Sequence, residues 1–344
     1  MSDLYGRFEG YEDLKPLLDA SDEEALLRLG KPTLVRIPGT DRAPRARFVS
    51  CLLHGNEDSG YRAVLDLLRT GARYPFDLWV FIGNVRAASE DGWFAHRYLD
   101  GQEDFNRVWG RREPTTSLRQ IADAVIAELD TTDLEAAVDL HNNTGENPYY
   151  AILPTRTSAA LALAATCADT VVEWALRAYS LIEELSVRCP TVAIECGITG
   201  RPENEAFAAG VLHRFLAALS FERSQAASPP LLRMAYRVAV RPEVEFTFDY
   251  SLGDGCDLAL RPGLDGQNFG MLLACSELGL VREGTPMPLE ALDLSGNDVT
   301  QRFFRISSGG RLIVTEDITP VMMTRSVLQT RRDCLFYIAR HCAR

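Results

Sequence analysis

Short apolar runs alternate with helical patterns over roughly the first two thirds of the chain. Each run is four to six residues long, which is typical of a strand buried on both faces, and the segments between runs space their apolar residues by three or four positions. Strands that alternate with helices predict an α/β fold with a mainly parallel sheet flanked by helices. The predicted strands are Thr33 to Ile37, Phe48 to Leu53, Leu78 to Ile82, Ala136 to Leu140, Tyr149 to Leu153 and Thr191 to Ile194, and the predicted helices are Tyr61 to Arg69, Thr116 to Leu129, Ser158 to Ala168 and Glu203 to Leu219.

The pattern changes after Pro230. Apolar and polar residues then alternate in short segments, such as Tyr236 to Val240 and Val244 to Phe248, between glycine-rich turns. Such period-two segments are typical of antiparallel strands. The predicted organisation is an α/β domain over residues 1–223, a linker at Ser224 to Pro230, and a smaller C-terminal all-β module over residues 231–344 with a helical tail near Cys334 to Arg340.

Composition and charge narrow the class of protein. The 344 residues are 46% hydrophobic and 24% charged, which is typical of a soluble globular protein of two domains. The net charge of −12 makes a nucleic-acid backbone or an anionic membrane surface a poor partner. The Ala/Leu-rich stretch 159–176 is interrupted by Asp169 and Glu173, so we expect no membrane span there.

The cysteines and the first residues indicate a compartment. Eight cysteines are scattered without CxxC pairs, and some, such as Cys51 and Cys196, lie in apolar strands. This is typical of buried thiols in a reducing environment. Met1 to Arg7 show no basic region followed by an apolar run, so no secretory signal is predicted. We therefore expect a cytoplasmic protein.

His54 and Glu57 follow the predicted Phe48 strand directly, at the turn into the next helix. In open α/β sheets, ligand chemistry lies at the carboxyl ends of the strands. A histidine and a glutamate three residues apart can bind one metal ion from such a turn, with Gly55 allowing the sharp backbone path. A capped helix start with a hydrogen-bonded histidine explains the pair equally well, so both interpretations stay open here.

Two further apolar strands run into His141 and Glu195. Two histidines and one carboxylate, with a fourth position open, form a catalytic zinc set. A separate carboxylate must then take a proton from water and pass it to the leaving amine, and Glu195 fits that part. The alternatives are a core histidine bonded to Asp139 and a paired carboxylate at a strand end. The presence of all these residues together favours the metal site.

A second polar cluster follows the strand that ends at Ile82. It contains arginine and asparagine side chains, whose planar hydrogen-bonding groups bind carboxylates well. A solvated loop with ordinary surface arginines is the alternative interpretation. The cluster consists of Asn84-Val85-Arg86-Ala87, Arg97-Tyr98-Leu99-Asp100 and Asp104-Phe105-Asn106-Arg107.

These motifs, in this order, resemble those of the aspartoacylase/succinylglutamate desuccinylase family, which is related to the zinc carboxypeptidases. The resemblance covers roughly residues 46–200 and is carried by His54 to Glu57, by the second cluster, and by Asp139-Leu140-His141. It implies a zinc-carboxypeptidase-like fold and a zinc-dependent amidohydrolase. The implied substrate is a small anionic N-acyl amino acid, from which the acyl group is removed.

The resemblance also implies a role for each motif residue. One Zn²⁺ per chain would be held by His54, Glu57 and His141, and Glu195 would act as general base and acid. The other implied roles are Arg97 polarising the scissile carbonyl, Asn106 and Arg107 holding a substrate carboxylate, Asn84 lining the same pocket, and Asp104 supporting it from behind.

Three departures from the family leave the substrate open. Val85 replaces the family's proline, the link from Arg97 to Asn106 is longer than in aspartoacylase, and Asn142 to Pro148 match neither named enzyme closely. In the family a C-terminal β module narrows the cleft and can add a substrate-binding residue. The alternatives are a metallocarboxypeptidase acting on small peptides and a non-catalytic zinc-binding relative. The oligomeric state, a homo-oligomer included, also stays open.

Overall fold

The computed structural model describes residues 4–42, 45–111, 113, 115–221 and 229–342. Its contacts divide the chain into two units. Unit 1 comprises Met1–Asn142, Tyr149–Val171 and Arg177–Pro230, and unit 2 comprises Asn143–Pro148, Val172–Leu176 and Leu231–Arg344. Residues 224–228 of the predicted linker lie outside the described residues, and the domain limits at 223 and 231 stay a prediction.

The first part of the chain alternates strands and helices, as its apolar pattern predicts. The strands are β1 (Gly6–Glu9), β2 (Thr33–Ile37), β3 (Ala46–Cys51), β4 (Asp77–Ile82), β5 (Leu134–Asn143), β6 (Tyr150–Leu153), β7 (Val171–Glu173) and β8 (Thr191–Ile198). The helices are α1 (Gly10–Leu18), α2 (Asp22–Leu29), α3 (Asp58–Arg69), α4 (Val85–Ser89), α5 (Ser117–Leu129), α6 (Ser158–Cys167), α7 (Leu181–Leu185) and α8 (Pro202–Ala217).

The sheet of unit 1 has the strand order β1-β2-β4-β3-β5-β8-β6. The β1/β2, β3/β4 and β3/β5 pairs are parallel, whereas β2/β4 and β6/β8 are antiparallel. The central strands β3 and β4 are buried along their whole length. The mainly parallel sheet flanked by helices is thus confirmed.

Unit 2 contains short strands in two groups. The first group pairs antiparallel in the order β13-β9-β17-β16, and the second forms a separate, mostly antiparallel sheet in the order β10-β11-β12-β15-β14. The strands are β9 (Leu231–Val240), β10 (Phe246–Phe248), β11 (Leu258–Leu260), β12 (Glu277–Val281), β13 (Leu289–Asp293), β14 (Phe304–Ile306), β15 (Arg311–Val314), β16 (Thr319–Val321) and β17 (Phe336–His341), and the helices are α9 (Thr300–Phe303) and α10 (Val327–Arg332).

The predicted helical tail near Cys334 to Arg340 is wrong. This segment forms most of β17, which pairs with β9 on one side and β16 on the other. Aromatic and β-branched side chains such as those of Phe336, Tyr337 and Ile338 fit a pleated sheet, and backbone hydrogen bonds to two neighbours favour the strand further. The helix lies just before it, in α10.

Two strands of unit 1 continue past the end of their apolar runs. β5 extends to Asn143 and β8 to Ile198, so His141 and Glu195 lie inside strands and not, as predicted, at their ends. Strand pairing uses backbone groups, so a buried polar side chain does not stop the ladder. Within the described residues, no helix combines the length and apolarity needed to cross a membrane.

Candidate metal centre and active site

The turn after β3 brings His54 and Glu57 into the interior of unit 1, where both are buried. The left-handed backbone in this turn is at Leu52, whose φ is +59°. Gly55 is required for a different reason than we predicted. A Cβ at Gly55 would lie 2.6 Å from the backbone nitrogen of Ala88, so α4 leaves no room for a side chain.

The Glu57 carboxylate lies between two imidazoles. Its Oε1 is 2.7 Å from His54 Nδ1, and its Oε2 is 2.8 Å from His141 Nδ1. The potential ligand atoms of these three buried residues all lie within 4.8 Å of one another. The structure therefore brings together the three residues predicted to bind the metal.

The opposite nitrogen of each ring is bonded to a second carboxylate. His54 Nε2 is 3.0 Å from Asp104 Oδ1, and His141 Nε2 is 2.7 Å from Asp139 Oδ2. An Nε2–H that donates to a carboxylate leaves Nδ1 as the nitrogen that a cation can take in exchange for a proton. Two imidazoles and one carboxylate oriented in this way fit zinc.

The alternative interpretation of His141 as a core histidine bonded to Asp139 is therefore compatible with the metal site. The bond to Asp139 uses Nε2, while Nδ1 faces Glu57. The Ser50 hydroxyl donates to the other oxygen of Asp139 over 2.6 Å, so Asp139 is itself held in place.

Charges in the cluster shift the pKa values of its groups. Burial opposes the charged form of Glu57, but the two imidazoles outweigh it and lower the pKa of this carboxyl. Burial likewise disfavours the imidazolium of His141, but Asp139 and Glu57 raise its pKa well above the usual value. The pKa of Asp104 lies well below its usual range because His54 and Arg97 outweigh its burial. The site thus combines buried groups of opposite charge.

Glu195 is buried in β8 and lies outside the three-residue cluster of the described residues. Burial is the main reason that its pKa rises to about 8; the charge of His141 opposes this shift, and that of Glu57 adds to it. A carboxyl whose pKa lies near neutrality can both accept and return a proton.

Arg97 contacts two of the acidic groups. Its Nη1 donates to Glu57 Oε1 over 3.4 Å, and its Nη2 donates to Asp104 Oδ2 over 3.3 Å. Its backbone oxygen accepts from the Gly55 N–H over 2.9 Å, which ties the loop that carries Arg97 to the turn after β3. The guanidinium group is therefore next to the candidate metal ligands.

The amides of the two predicted substrate-binding asparagines hold backbone and side chains in place. Asn84 Oδ1 caps α4 at the Ala87 N–H and accepts from Gln102 Nε2 over 3.0 Å. Asn106 Oδ1 accepts from the N–H of Leu181, at the start of α7, over 2.9 Å. Their substrate roles stay predictions.

Asn84 also lines a cavity of about 520 Å³. Among the described residues, the lining of this cavity includes none of His54, Glu57 and His141. Arg107 donates to the backbone oxygen of Asn106 over 2.9 Å, and its charge contributes to the lowered pKa of Asp104. Arg107 is thus within electrostatic range of the cluster, and its role also stays a prediction.

Sequence reasoning missed Ser50 and Asn142. Ser50 pairs in register with Asp139 in the β3/β5 ladder, and Asp139 is two residues before His141, on the same face of the strand. A polar residue inside an otherwise apolar strand is the signal that could have identified Ser50.

Residues 45–182 match the family model of the succinylglutamate desuccinylase/aspartoacylase catalytic domain. The resemblance predicted from the motifs is confirmed. The matched span of this desuccinylase/aspartoacylase domain contains His54, Glu57 and His141, whereas Glu195 lies beyond it. No curated protein matches the chain.

Solved structures of this class share the fold. The succinylglutamate desuccinylase of Chromobacterium violaceum aligns over 90% of this chain and 89% of its own, with a TM-score of 0.56 and 17% identity. That of Vibrio parahaemolyticus aligns over 90% and 86%, with a TM-score of 0.58 and 14% identity. Murine aminoacylase 3 aligns over 88% and 97%, with a TM-score of 0.52 and 17% identity.

Proposed function

We propose that this protein is a zinc-dependent amidohydrolase that removes the acyl group from an N-acyl amino acid. The observation that carries the proposal is the buried cluster of His54, Glu57 and His141, with a carboxylate behind each imidazole. The match to the desuccinylase/aspartoacylase catalytic domain supports it. We propose that these three residues bind one Zn²⁺ per chain.

Zinc, when bound, supplies a Lewis acid that polarises the amide carbonyl and lowers the pKa of water. Glu195 takes one proton from the attacking water. Arg97 donates hydrogen bonds to the carbonyl oxygen as negative charge develops on it. Glu195 then gives the proton to the leaving nitrogen as the C–N bond breaks, so that one amide and one water yield a carboxylic acid and an amine.

The proposed substrate is anionic although the protein carries a net charge of −12. Arg97 and Arg107 are close enough to Asp104 to lower its pKa, so they are local to the site. Salt screens distant surface charges beyond ~8–10 Å, so a compact ligand responds mainly to the local charges. A bound Zn²⁺ with Arg97 and Arg107 would then offset the carboxylates of the cluster, such as Glu57 and Asp104. A small carboxylate is therefore a better substrate than a long polyanion.

A deacylation screen of the zinc-loaded protein tests this function. N-acetylaspartate, N-succinylglutamate and other N-acyl amino acids are compared with peptides that vary at their C-terminal residue. We expect release of the amino acid from at least one N-acyl amino acid, and none without zinc. Turnover of the peptides alone identifies a metallocarboxypeptidase, and zinc binding without any turnover identifies a non-catalytic relative.

Glu195→Gln separates the base from the metal site. The neutral amide cannot accept a proton, so we expect kcat to fall by ~10²–10⁴-fold, the usual contribution of a general base. Because Glu195 is not proposed as a ligand, zinc content measured by elemental analysis should stay at the level of the unchanged protein. Normal hydrolysis by Glu195→Gln removes Glu195 from the mechanism.

A further inference from the structure

Asn142 follows His141 in β5, and its side chain is buried on the opposite face of the strand. Its amide forms three hydrogen bonds. Oδ1 accepts from the Ser59 N–H over 3.1 Å, and Nδ2 donates to Ser59 Oγ and to the Gly197 carbonyl oxygen, each over 2.9 Å. One side chain thus joins β5 to the first turn of α3 and to β8.

The residues that Asn142 holds are neighbours of the proposed machinery. Ser59 lies two residues after Glu57, and Gly197 lies two residues after Glu195. The backbone N–H of Asn142 also donates directly to Glu57 Oε2 over 3.2 Å. The three segments that carry Glu57, His141 and Glu195 therefore meet at this residue.

We infer that Asn142 is a positioning residue, which fixes the Glu57 carboxylate relative to His141 and to the strand that carries Glu195. The inference depends on the metal site of the proposed function. Ligands must be held to within ~0.5 Å, and outer residues that orient them typically change metal affinity by about 10–100-fold.

Asparagine suits this position because the bonds need one acceptor and two donors on one short, uncharged side chain. Leucine has nearly the same size and no polar atoms. Asn142→Leu therefore removes all three bonds without adding charge near Glu57, and it keeps the backbone N–H that Glu57 accepts.

Asn204 provides a matched control. It is a buried asparagine in α8 that donates Nδ2–H to the Ile198 carbonyl, the next residue of β8 after Gly197, and accepts from the Tyr149 hydroxyl over 2.7 Å. Within the described residues, its amide bonds involve no candidate metal ligand. Asn204→Leu removes bonds of the same kind to the same strand.

The experiment measures the affinity of the full chain for Zn²⁺ by competition with a chromophoric chelator, and the visible spectrum of the Co²⁺-loaded protein. We expect Asn142→Leu to bind Zn²⁺ about 10–100-fold more weakly and to shift the Co²⁺ bands, which report ligand geometry. Asn204→Leu should keep both properties while its melting temperature falls to a similar extent. A purely structural role of Asn142 would lower the melting temperature alone.

Ser59→Ala is the milder variant, since it removes only the bond from Asn142 Nδ2 to Ser59 Oγ. We expect Zn²⁺ affinity to fall by about fivefold, the scale of one hydrogen bond, and this variant decides the matter if Asn142→Leu does not fold. Unchanged affinity in the variant tested, or an equal loss in Asn204→Leu, overturns the positioning role alone. If the unsubstituted protein binds no zinc, both the positioning role and the proposed function are wrong.

Discussion

The two nitrogens of each imidazole in the cluster contact different groups. Nδ1 of His54 and of His141 faces Glu57, whereas Nε2 of each ring is bonded to a carboxylate, Asp104 or Asp139. This arrangement fixes the ring orientation before any ligand arrives. A cation that bound at the two Nδ1 atoms would then replace protons at rings that are already oriented.

Asp139→Asn tests that orientation. An amide cannot attract the Nε2–H of His141 as strongly as a carboxylate, so we expect Zn²⁺ affinity to fall by about 10–100-fold in a chelator competition assay. Asp130→Asn is the control, because Asp130 is exposed and pairs with Arg188 on the surface. If the unsubstituted protein, Asp139→Asn and Asp130→Asn bind Zn²⁺ with equal affinity, Asp139 has no role in orienting His141.

The sequence predicted the candidate metal ligands better than the residues that hold them. His54, Glu57 and His141 could be identified because each follows a buried apolar run, and parallel strands carry their ends to one edge of a sheet. Asn142 could not, since its partners Ser59 and Gly197 are 83 and 55 positions away along the chain. Side-chain bonds over such separations depend on the register, which apolar spacing alone does not fix.

At the scale of elements, Arg47 links β3 to the C-terminus of α8. The guanidinium is almost fully buried and stacks on the Phe76 ring, with 4.2 Å between its Cζ and the ring centroid. Its Nε donates to Glu135 over 2.8 Å. Its Nη groups donate to the last carbonyl groups of the helix and the residue after it, which are otherwise unsatisfied at a helix end.

Arg47→Ala should destabilise unit 1. Removal leaves Glu135 and the α8 carbonyl groups buried without this donor, so the free energy of unfolding should fall by about 3–5 kcal/mol in a urea titration. Arg45→Ala is the control, since Arg45 pairs with the same Glu135 from an exposed position. The free energy of unfolding of Arg45→Ala should fall by no more than about 1 kcal/mol. If the free energy of unfolding of Arg47→Ala falls by no more than about 1 kcal/mol, Arg47 does not stabilise the C-terminus of α8 as expected.

The existence of most elements followed from the apolar pattern, but their ends did not. β5 and β8 run past their apolar cores because His141 and Glu195 keep their backbone bonds inside the ladder. β17 was missed because pairing with β16 and with β9, which is distant in sequence, decides the conformation of this short apolar segment. In β5, β8 and β17, strand pairing thus outweighed the local apolar pattern.

At the scale of the whole molecule, metal binding should couple to stability. A ligand that binds only the folded state adds about 2.7 kcal/mol at 100 times its dissociation constant. We expect the melting temperature to rise with Zn²⁺ and to return to its original value with a chelator. His54→Ala and His141→Ala should abolish the rise, as scanning calorimetry would show.

His213→Ala is the matched control, because His213 is exposed on α8. The melting temperature of His213→Ala should still rise with Zn²⁺. If both site variants keep the full rise, zinc binds elsewhere and the ligand assignment is wrong.

The sequence predicted two kinds of architecture, an α/β part and a β-rich part, because the apolar period changes after Pro230. It did not predict that Asn143–Pro148 and Val172–Leu176 belong to unit 2. Both segments are short and lie within the α/β part of the sequence. Which unit a short segment packs with is set by its contacts, and hydrophobic periodicity carries no information on that choice.

Glu195 lies inside β8, which has β5 and β6 as its neighbours. A side chain on a paired strand can change its own torsion angles. Its Cα atom is held by the backbone hydrogen bonds of the sheet, unlike that of a loop residue. If the proposed function is right, enzymes adapted to a different acyl group should therefore keep a carboxylate at this position and differ in segments outside the sheet. Selectivity would then diverge among descendants of one ancestor while the Glu195 carboxyl, the proposed general base, stayed in place.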